Sequence, residues 1–508
     1  MSPQRLGRSA RIAVDLTGAL NLVATLTKFL SLATLVPAAV ALGYGESAWP
    51  FLLSGAIVGG VALGVEYATR GDHRIGSREG FFVVATTWLT AAALGALPYL
   101  LYGEAQIDRP VDAYFEAMSG FTTTGASVLT NIEAVDHSLL IWRQFTQWLG
   151  GIGIIVLALA VLPRLRVGGR QLLEHEMPGP EIESLSTRIR DTARRVWILY
   201  LSLTAVLVAT LIAFAWTGVD DRMTTFGAVA YALATLPTGG FGVDGTSLAG
   251  FAPATQWVIA LFMLLAGANF ALLYRAFVRR DPKAFARDEE FRLYVGVLAL
   301  ASAVVAAEIW TEGVAAGEEA VRHAVFQTVS MMTTTGFATA DFALWPALTA
   351  MTLIGLMFIG GSAGSTSGSV KVVRHLLLGR VLRREIDQTV HPEVVTTVRL
   401  NRRVVDERTL RAVTSFILLY IGIFIVGTLL LAADAARTDL DLGVLGAIGA
   451  AATTLGNVGP AFGFAGPFGS FEPFSDFSTV VMIGLMWLGR LEIIPIIVLF
   501  SRHYWRNT

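Results

Sequence analysis

The sequence predicts an all-α membrane protein in which one unit, helix–pore loop–helix, is repeated four times. Three observations indicate this fold class. First, the 508 residues are 54% hydrophobic and only 15% charged, whereas roughly 25% of the residues in an ordinary soluble domain are charged. Second, apolar stretches of about 20 residues, the length of a membrane-spanning helix, follow one another along the chain. Third, a segment containing threonine and glycine recurs four times between these stretches.

Ten apolar runs are candidate membrane spans: 20–44, 49–68, 79–101, 138–163, 194–217, 254–278, 291–310, 343–361, 409–432 and 474–501. Short cytoplasmic segments of membrane proteins accumulate lysine and arginine. Alternate connections between the runs, together with the two tails, hold 31 of the 38 basic residues, which predicts that both termini face the cytoplasm. The first apolar run continues from the basic tail to about Leu42, so it is interpreted as a retained signal anchor.

Four outer connections between spans share one pattern. Aligned on one glycine, they are "YFEAMSGFTTTGAS" (114–127), "AVAYALATLPTGGF" (228–241), "VFQTVSMMTTTGFA" (325–338) and "IGAAATTLGNVGPA" (448–461), with Gly125, Gly239, Gly336 and Gly459 in register. Each begins with a mostly apolar helix of about ten to twelve residues, which at about 1.5 Å per residue is too short to cross a bilayer. The helix is therefore expected to enter the membrane and return.

The segment after each short helix has the chemistry of an ion pathway. Non-helical backbone at membrane depth must be buried in protein or line a watery cavity. Glycine permits backbone angles that turn successive carbonyls to one side, and threonine places a stiff body behind them. Four such segments around one axis would offer oxygens that replace the hydration shell of a cation such as potassium. One Thr-Thr-Gly alone is more often a loop or a helix cap, but four copies predict a cation pore.

The sequence does not identify individual coordinating carbonyls, so the candidate selectivity filter is a window around each glycine. It contains Thr123, Thr124, Gly125, Thr238, Gly239, Gly240, Thr334, Thr335, Gly336, Phe337, Asn457, Val458 and Gly459. Within this window, potassium is expected at Thr124, Thr238, Thr335 and Val458.

A second glycine-rich stretch, "GGSAGSTSGSV" (360–370), lies where the second span of the third repeat is expected. Each glycine in a helix interior costs about 1 kcal/mol relative to alanine, so this stretch is predicted to be irregular. The functional interpretation is a flexible loop across the pore, formed by Gly360, Gly361, Ser362, Gly364, Ser365, Thr366 and Gly368. The alternative is a cytoplasmic loop that the chain reaches early.

Several charged residues are candidates for roles along the pathway. Arg490 lies inside the last predicted span, where a charge is either functional or paired. The alternative is a pair with Glu492 or an interfacial arginine near the inner leaflet; it is disfavoured because residues i and i+2 do not face each other on a helix. Lys371 is either a cation that repels inward ions or a basic anchor at the cytoplasmic interface, and the anchor is favoured. Asp112 and Glu116, on the first outer connection, either raise the local cation concentration at the mouth or are solvated surface charges.

These residues carry a family resemblance that covers nearly the whole chain. The sequence resembles the Trk/Ktr/HKT potassium-transporter superfamily, and most closely its TrkH-type members. Further characteristic stretches are "WRQFTQWLGGIGIIVLALAVLP" (142–163), "EMPGP" (176–180), "LAGANFALLY" (265–274), "FIGGSAGSTSGSVK" (358–371) and "GLMWLGRLEI" (484–493). The second glycine segment departs from the family, with Pro237 where serine is expected, and only the fourth repeat lacks threonine immediately before its aligned glycine.

The resemblance implies four repeats in a pseudo-fourfold arrangement plus an extra N-terminal helix pair. The implied units are the helix pair (1–68), repeat 1 (69–170), repeat 2 (171–280), repeat 3 (281–390) with an intramembrane gating loop (360–369), and repeat 4 (391–508). In the proteins that it resembles, the arginine matching Arg490 projects into the pore beneath the filter. Arg490 and the loop are therefore expected to form a barrier below the ion sites.

The resemblance also implies potassium uptake across the bacterial inner membrane by a homodimer, with K⁺ as the transported ion. TrkA-like nucleotide-binding regulatory subunits are expected to dock on its cytoplasmic face. NAD or ATP would bind that partner, because no dinucleotide or phosphate-binding glycine motif is visible in this chain. The four aligned glycines favour potassium over sodium.

The sequence disfavours three other functions. A proton- or sodium-coupled potassium symporter would place carboxylates at mid-membrane, but Glu66 and Glu308 fall near span ends and Glu492 is the only deep acid. The repeats also have parallel rather than inverted topology, which favours a channel-like route. An enzyme is disfavoured because the chain has no cysteine, scattered histidines and no HExxH motif. Nucleic-acid binding is disfavoured because the basic residues are dispersed and the net charge is −1.

Overall fold

The computed structural model describes residues 14–73, 76–104, 106–107, 109–160, 182–393 and 396–505. The basic N-terminal tail before residue 14 and the EMPGP motif lie outside these residues. The described chain is mostly helical, as the sequence predicts. Its strands are β1 (Arg399–Leu400) and β2 (Arg403–Val404), which pair antiparallel in a small hairpin.

The N-terminal helix pair precedes the repeats. It consists of α1 (Leu16–Ser31), a 3₁₀ turn (Leu32–Thr34), α2 (Leu35–Tyr44) and α3 (Trp49–Ala68). The Asp15 side chain accepts a hydrogen bond from the backbone N–H of Gly18 and caps α1, as short polar side chains do at helix starts. Lys28 and Glu66 form an ion pair of 2.6 Å that joins α1 to α3. Helices α1 and α3 therefore pack as an antiparallel hairpin.

The remaining helices follow one order four times: a long helix, a short helix, an irregular segment and a second long or broken helix. The first half of the chain contains α4 (Ser77–Tyr102), α5 (Pro110–Phe121), α6 (His137–Ala160), α7 (Ile182–Thr217), α8 (Thr225–Thr235), α9 (Pro253–Ala266) and α10 (Phe270–Leu273), which continues as a π turn (Tyr274–Val278). The second half contains α11 (Lys283–Arg287), α12 (Glu289–Thr311), α13 (Gly317–Met332), α14 (Ala347–Ile359), α15 (Val372–Val390), α16 (Glu407–Thr438), α17 (Gly443–Gly456), α18 (Asp476–Arg490), α19 (Ile494–Phe500) and α20 (Arg502–Trp505).

Within the described ranges, six helices are long and apolar enough to cross a membrane, or up to eight if each of two bent pairs is one span. These helices and bent pairs account for eight of the ten candidate runs; the run 138–163 extends beyond residue 160, outside the described residues, and the run 343–361 is treated below. The six are Leu16–Tyr44, Trp49–Ala68, Arg78–Tyr102, Ala193–Thr217, Glu289–Thr311 and Glu407–Thr438. Large apolar side chains on their outer faces are exposed, for example Leu418 and Leu429, as is expected of surfaces that contact lipid.

The predicted span 254–278 is not one helix. Helix α9 is followed by a bend of 107° and then by the segment Phe270–Val278. The side chain of Asn269 accepts hydrogen bonds from the backbone N–H groups of Ala271 and Leu272, so it caps a new helix at the bend. Apolar composition alone does not reveal such a break, and the expectation of a continuous helix was wrong here.

Two other predicted spans are also interrupted. The run 474–501 bends by 115° between α18 and α19, where Glu492 and Ile493 adopt positive φ angles of 58° and 59°. The run 343–361 contributes only the 13 residues of α14, because Gly360 adopts φ of 74° and ends the helix. The second halves of repeats 2, 3 and 4 are therefore broken near their C-terminal ends, and these breaks make room for the site described below.

The four short helices have 12, 11, 16 and 14 residues (α5, α8, α13 and α17). The expected length of about ten to twelve residues holds for the first two and is too short for the others. All are shorter than the roughly 20 residues that a span needs. Each is buried along most of its length, so the four helices lie inside the protein and not on its lipid-facing surface.

Candidate ion-binding ring and intramembrane loop

The chain leaves each short helix in the same way. One backbone N–H donates to a carbonyl five residues earlier: Thr124 to Ser119 at 2.8 Å, Gly239 to Ala234 at 2.9 Å, Thr335 to Ser330 at 2.9 Å and Val458 to Thr453 at 2.9 Å. We call residues 122–125, 237–240, 333–336 and 456–459 ring segments 1 to 4. This repeated hydrogen bond aligns the four segments independently of their sequences.

The backbone angles give the same alignment. The second residue of each ring segment has φ between 53° and 59° (Thr123, Thr238, Thr334, Asn457), and the fourth residue is a glycine with positive φ (Gly125, Gly240, Gly336, Gly459). The predicted register of the second repeat was therefore wrong by one residue, since Gly240 and not Gly239 matches the other glycines. The counterpart of Thr124, Thr335 and Val458 is Gly239, not Thr238.

This register changes which segments depart from the threonine pattern. Pro237 takes the place of Thr122 and Thr333, while Gly239 takes the place of Thr124 and Thr335. The statement that only the fourth repeat lacks a threonine before its glycine was therefore wrong, because the second repeat lacks it too. The fourth position requires a left-handed conformation, and of the two adjacent glycines only Gly240 adopts it.

Each of these glycines faces a carbonyl oxygen of the next ring segment. A Cβ atom built on Gly125 would lie 2.2 Å from the oxygen of Gly239, on Gly240 1.9 Å from that of Thr335, on Gly336 2.1 Å from that of Val458, and on Gly459 2.9 Å from that of Thr124. The order runs from segment 1 to segment 4 and returns to segment 1. The four segments therefore form a closed ring, and a side chain on a ring glycine would collide with a neighbouring carbonyl.

Ring segments 1 and 3 share one set of supporting contacts. In each, the first and third threonine hydroxyls lie 2.8 Å apart, namely Thr122 with Thr124 and Thr333 with Thr335. All four side chains are fully buried. The first hydroxyl also donates to a carbonyl of the preceding short helix. These hydrogen bonds hold the third residue of the segment against its own helix.

Ring segment 4 is supported by an asparagine. The side-chain nitrogen of Asn457 donates to the hydroxyl of Thr124 and to the carbonyl of Met486, each at 3.0 Å. The hydroxyl of Thr453 accepts from the backbone N–H of Gly459 at 2.8 Å. Segment 4 is thus tied directly to segment 1, which closes the ring.

The two acids predicted at the outer mouth are neither solvated nor free to attract cations. Glu116 is fully buried and its carboxylate lies 2.7 Å from the guanidinium of Arg143. It also accepts hydrogen bonds from Ser127 and from the backbone of Val128, just beyond ring segment 1. Asp112 is buried as well and forms an ion pair of 2.6 Å with an arginine three residues earlier. Both interpretations offered for these acids were wrong, because each acid is neutralised by a nearby arginine.

Arg143 also reaches the second ring segment. Its Nη1 donates to the carbonyl of Gly242 at 3.2 Å, and its guanidinium lies 4.2 Å from the ring centroid of Phe241. The buried pair of Glu116 and Arg143 therefore joins the residues that follow ring segment 1 to those that follow ring segment 2. Phe337, the counterpart of Phe241, is also fully buried, and its carbonyl accepts from Ser330 at 2.6 Å.

The glycine-serine loop (residues 360–371) lies directly against the ring segments. The Ser367 hydroxyl donates to the carbonyl of Thr333 at 2.8 Å, and the backbone N–H of Gly368 donates to the hydroxyl of Thr334 at 2.7 Å. The Thr366 hydroxyl lies 3.0 Å from the carbonyl of Leu236, next to ring segment 2. The alternative of a cytoplasmic loop reached early is therefore wrong.

The rest of the loop is anchored to the broken second half of repeat 2. Backbone N–H groups of Ser362 and Phe270 donate to the carbonyls of Gly267 and Gly364, at 2.8 and 3.1 Å respectively. Gly361 and Ser365 are buried in the same loop. Each contact joins the loop to the bend that follows α9, so the break in repeat 2 provides the seat for the loop of repeat 3.

Arg490, from repeat 4, also contacts the loop. It is the last residue of α18, at a break and not inside a continuous span, and only 2% of its surface is exposed. Its Nη1 donates to the carbonyl of Thr366 at 2.9 Å. Its Nε and Nη2 make no hydrogen bond within the part of the chain that the structure describes. A buried guanidinium with two unused donors therefore lies beside the loop.

Neighbouring charges are arranged differently from the prediction. Glu492 pairs with Arg374 at 2.5 Å, so it is not the partner of Arg490. Lys371 is 8% exposed and its Nζ donates to the carbonyl of Ser367, so its interpretation as an interfacial anchor was wrong. Lys371 instead closes the loop on itself.

Two functional candidates were missed by sequence analysis. Gln147, in the stretch 142–163 that resembles the family, donates to the carbonyl of Gly239 at 2.6 Å. Glu290 lies one residue before a predicted span, and its carboxylate accepts from the backbone N–H of Ala363 in the loop at 2.6 Å. Nothing in the sequence pairs these residues with their targets, which lie 92 and 73 positions away.

Comparison with known proteins identifies the family. Residues 56–506 match the family described as "TrkH: Cation transport protein". The chain is 38% identical over 435 residues to the Trk system potassium uptake protein TrkH of Escherichia coli strain K12, covering 85% of this chain and 86% of that protein. It is 36% identical over 495 residues to TrkH of Vibrio parahaemolyticus, covering 96% and 99%.

A solved structure agrees with this match over almost all of the chain. The crystal structure of the potassium transporter TrkH from Vibrio parahaemolyticus superposes with a TM-score of 0.86 at 34% sequence identity. The match covers 97% of this chain and all of that one. With its apolar helices and its similarity to these transporters, the chain is a multi-pass membrane protein that belongs to the TrkH family of cation transport proteins.

Proposed function

We propose that this chain takes up potassium ions across the bacterial inner membrane through a gated, channel-like pore. The observation that supports the proposal best is the closed ring of four segments. An ion that enters the protein must exchange its hydration water for other oxygens, and a ring of backbone carbonyls supplies them. The relatives that match the chain are themselves called potassium uptake proteins.

In this proposal, potassium is the transported ion and is bound by backbone carbonyls, not by an organic cofactor or a metal cluster. The candidate ligands are the third residues of the ring segments: Thr124, Gly239, Thr335 and Val458. Each follows a short helix whose C-terminal end carries the negative pole of the helix dipole, which favours a cation at the ring. No bond is made or broken along this route, so the chain acts as a transporter and not as an enzyme.

The glycine-serine loop and Arg490 form the proposed gate below the ring. The loop contacts ring segment 3 and Leu236, next to ring segment 2, and the arginine contacts the loop at Thr366. A positive charge beside the pathway repels a cation, and the repulsion is strong where water is scarce. Transport would therefore require the loop and Arg490 to move aside together.

The proposed assembly follows from the family resemblance and from the distribution of charge. The units are the N-terminal helix pair (1–68) and repeats 69–170, 171–280, 281–390 and 391–508. Both termini lie in the cytoplasm, which the distribution of basic residues supports. The chain would function as a homodimer with TrkA-like nucleotide-binding subunits on its cytoplasmic face.

Flux through purified protein in lipid vesicles tests the proposed function. Wild-type vesicles are expected to take up rubidium or potassium in the presence of competing sodium. Gly336→Ser is expected to lower uptake at least about tenfold, because its Cβ would lie 2.1 Å from the carbonyl of Val458 and the residue has φ of 87°. The matched control is Gly355→Ser, since a Cβ at Gly355 meets no atom within 4 Å. Uptake no faster than in protein-free vesicles would contradict the proposal.

Coupled symport is the second candidate, and one observation favours it. Glu290 is a buried carboxylate beside the loop, and the sequence-based search for acids within the spans did not include it. Proton-coupled carriers place such acids along the pathway. The reversal potential of a potassium gradient, measured with and without a proton or sodium gradient, separates the two mechanisms, because only coupled transport shifts it.

A further inference from the structure

The side chain of Gln147 is built into ring segment 2. It belongs to α6 of repeat 1 and is fully buried. Its Nε2 donates to the carbonyl of Gly239 at 2.6 Å, and its Oε1 accepts from the backbone N–H of Phe241 at 3.2 Å. The amide therefore binds the backbone on both sides of Gly240, much as a neighbouring strand would.

This amide also fills a space that a side chain occupies in the other ring segments. At the third position, segments 1, 3 and 4 carry Thr124, Thr335 and Val458, while segment 2 carries Gly239. A Cβ atom built on Gly239 would lie 2.4 Å from Cδ and 2.5 Å from Oε1 of Gln147. The glutamine amide thus occupies the place of the missing side chain.

The backbone of Gly239 does not itself require glycine. Among the residues of ring segment 2, Thr238 and Gly240 have positive φ, and Gly239 does not. The obstacle to a side chain at Gly239 is therefore the glutamine amide, the flexible end of a side chain. Removal of that amide would make room for a threonine in this position.

We propose that Gln147 is a specificity-determining residue of the ion pathway, which replaces the absent third-position threonine of ring segment 2 and fixes the carbonyl of Gly239. This inference rests on the proposed potassium transport. Because the amide N–H shares the oxygen of Gly239 with any bound ion, this oxygen is a weaker ligand than its three counterparts. The same hydrogen bond holds the segment at the spacing that suits potassium, so its loss would let the ring contract and admit sodium.

The test is an exchange of the side chain between the two positions. Potassium and sodium uptake are measured separately in vesicles that contain wild-type protein, Gln147→Met, Gln147→Ala, Gly239→Thr or the double variant Gln147→Ala/Gly239→Thr. Gln147→Met keeps the volume and removes both hydrogen bonds, so the ratio of potassium to sodium uptake is expected to fall about threefold or more. The double variant is expected to regain most of the wild-type ratio, and Gly239→Thr alone is expected to be worse than the double variant.

Gln256→Ala is the matched control for the loss of a buried glutamine. Gln256 donates to the carbonyls of Leu248 and Phe251 in an outer connection, away from the ring segments. This control is expected to change stability but not the uptake ratio. Unchanged selectivity in Gln147→Met, or a double variant no better than Gln147→Ala, would overturn the inference. Absence of potassium uptake by the wild type would instead overturn the proposed function.

Discussion

Ring segments 1 and 3 and ring segments 2 and 4 reach the same backbone geometry by different chemistry. The first two have the sequence TTTG and are supported by pairs of threonine hydroxyls. Segment 2 has the sequence PTGG and is supported by Gln147 from α6, and segment 4 has the sequence GNVG and is supported by its own Asn457, whose side chain reaches Thr124. The difference teaches that the repeated unit is a set of backbone angles and carbonyl positions, while the residues behind them vary from repeat to repeat.

The largest expected effect distinguishes the two glycines of ring segment 2. Gly240→Ala is expected to abolish potassium uptake, because its Cβ would lie 1.9 Å from the carbonyl of Thr335 in a left-handed conformation. Gly239→Ala is expected to retain at least about a tenth of wild-type uptake, since only the flexible Gln147 side chain must shift. The measurement is rubidium flux in vesicles at matched protein content. Equal losses in the two variants would contradict the register of segment 2.

The next effect concerns the buried ion pair, for which repeats 1 and 3 differ. Nine residues before the ring glycine, repeat 1 has Glu116 and repeat 3 has the neutral Gln327. Arg143→Leu is expected to destabilise the protein by about 3–5 kcal/mol, because it leaves the carboxylate of Glu116 buried without its partner. The double variant Glu116→Gln/Arg143→Leu, which makes repeat 1 resemble repeat 3, is expected to be less destabilised.

Thermal unfolding of the purified variants in detergent measures these differences. The single variant Glu116→Gln serves as the third corner of the double-mutant cycle. A double variant as unstable as the two single variants added together would show that the pair is not coupled. In that case Arg143 would contribute chiefly through its contacts to Gly242 and Phe241.

A smaller effect is expected at the loop than at the ring. Arg490→Ala removes the contact to the carbonyl of Thr366 and a positive charge beside the pathway. We expect potassium uptake to rise about threefold to tenfold while the ratio of potassium to sodium uptake stays the same, because the ring is not altered. Flux with each ion alone is the measurement. An unchanged rate in Arg490→Ala combined with a shortened loop would exclude the proposed gate.

Much of this arrangement was predictable from local sequence. The four short helices and the glycines of repeats 1, 3 and 4 were found because a helix too short to span the membrane and a following glycine are both local patterns. The glycine of repeat 2 was placed one residue early, because Gly239 and Gly240 are adjacent and only the backbone angle separates them. Whether Gly360 and the following residues lay inside the protein was left open, because several of their anchoring carbonyls, such as those of Leu236 and Gly267, come from repeat 2.

Long-range pairing was not predictable, and it accounts for most of the errors. Glu116 was interpreted as an acid at the surface because its partner Arg143 lies 27 residues away on another helix. Lys371 was interpreted as an anchor because the composition of the loop does not show that the loop buries this lysine. The breaks near Asn269 and Glu492 were missed because the apolar composition continues across them. The burial of Glu116 and of Lys371 depends on residues brought together by the fold and not by the local pattern.

The smallest expected effect tests the hydroxyl pairs of ring segments 1 and 3. Thr122→Val keeps the side-chain shape and removes one hydroxyl, which leaves the Thr124 hydroxyl with its remaining contact to Asn457. A neutral hydrogen bond contributes about 0.5–1.5 kcal/mol, and only a part of this free energy is expected to differ between the two ions, so the ratio of potassium to sodium uptake is expected to change less than about threefold. Thr333→Val is expected to cause a change of similar size, because its hydroxyl pair has the same length. Proline and glycine at this position in segments 2 and 4 show that the ring geometry does not require the hydroxyl. A loss of selectivity as large as that expected for Gln147→Met would mean that the two kinds of support are not equivalent, and that segments 1 and 3 control selectivity.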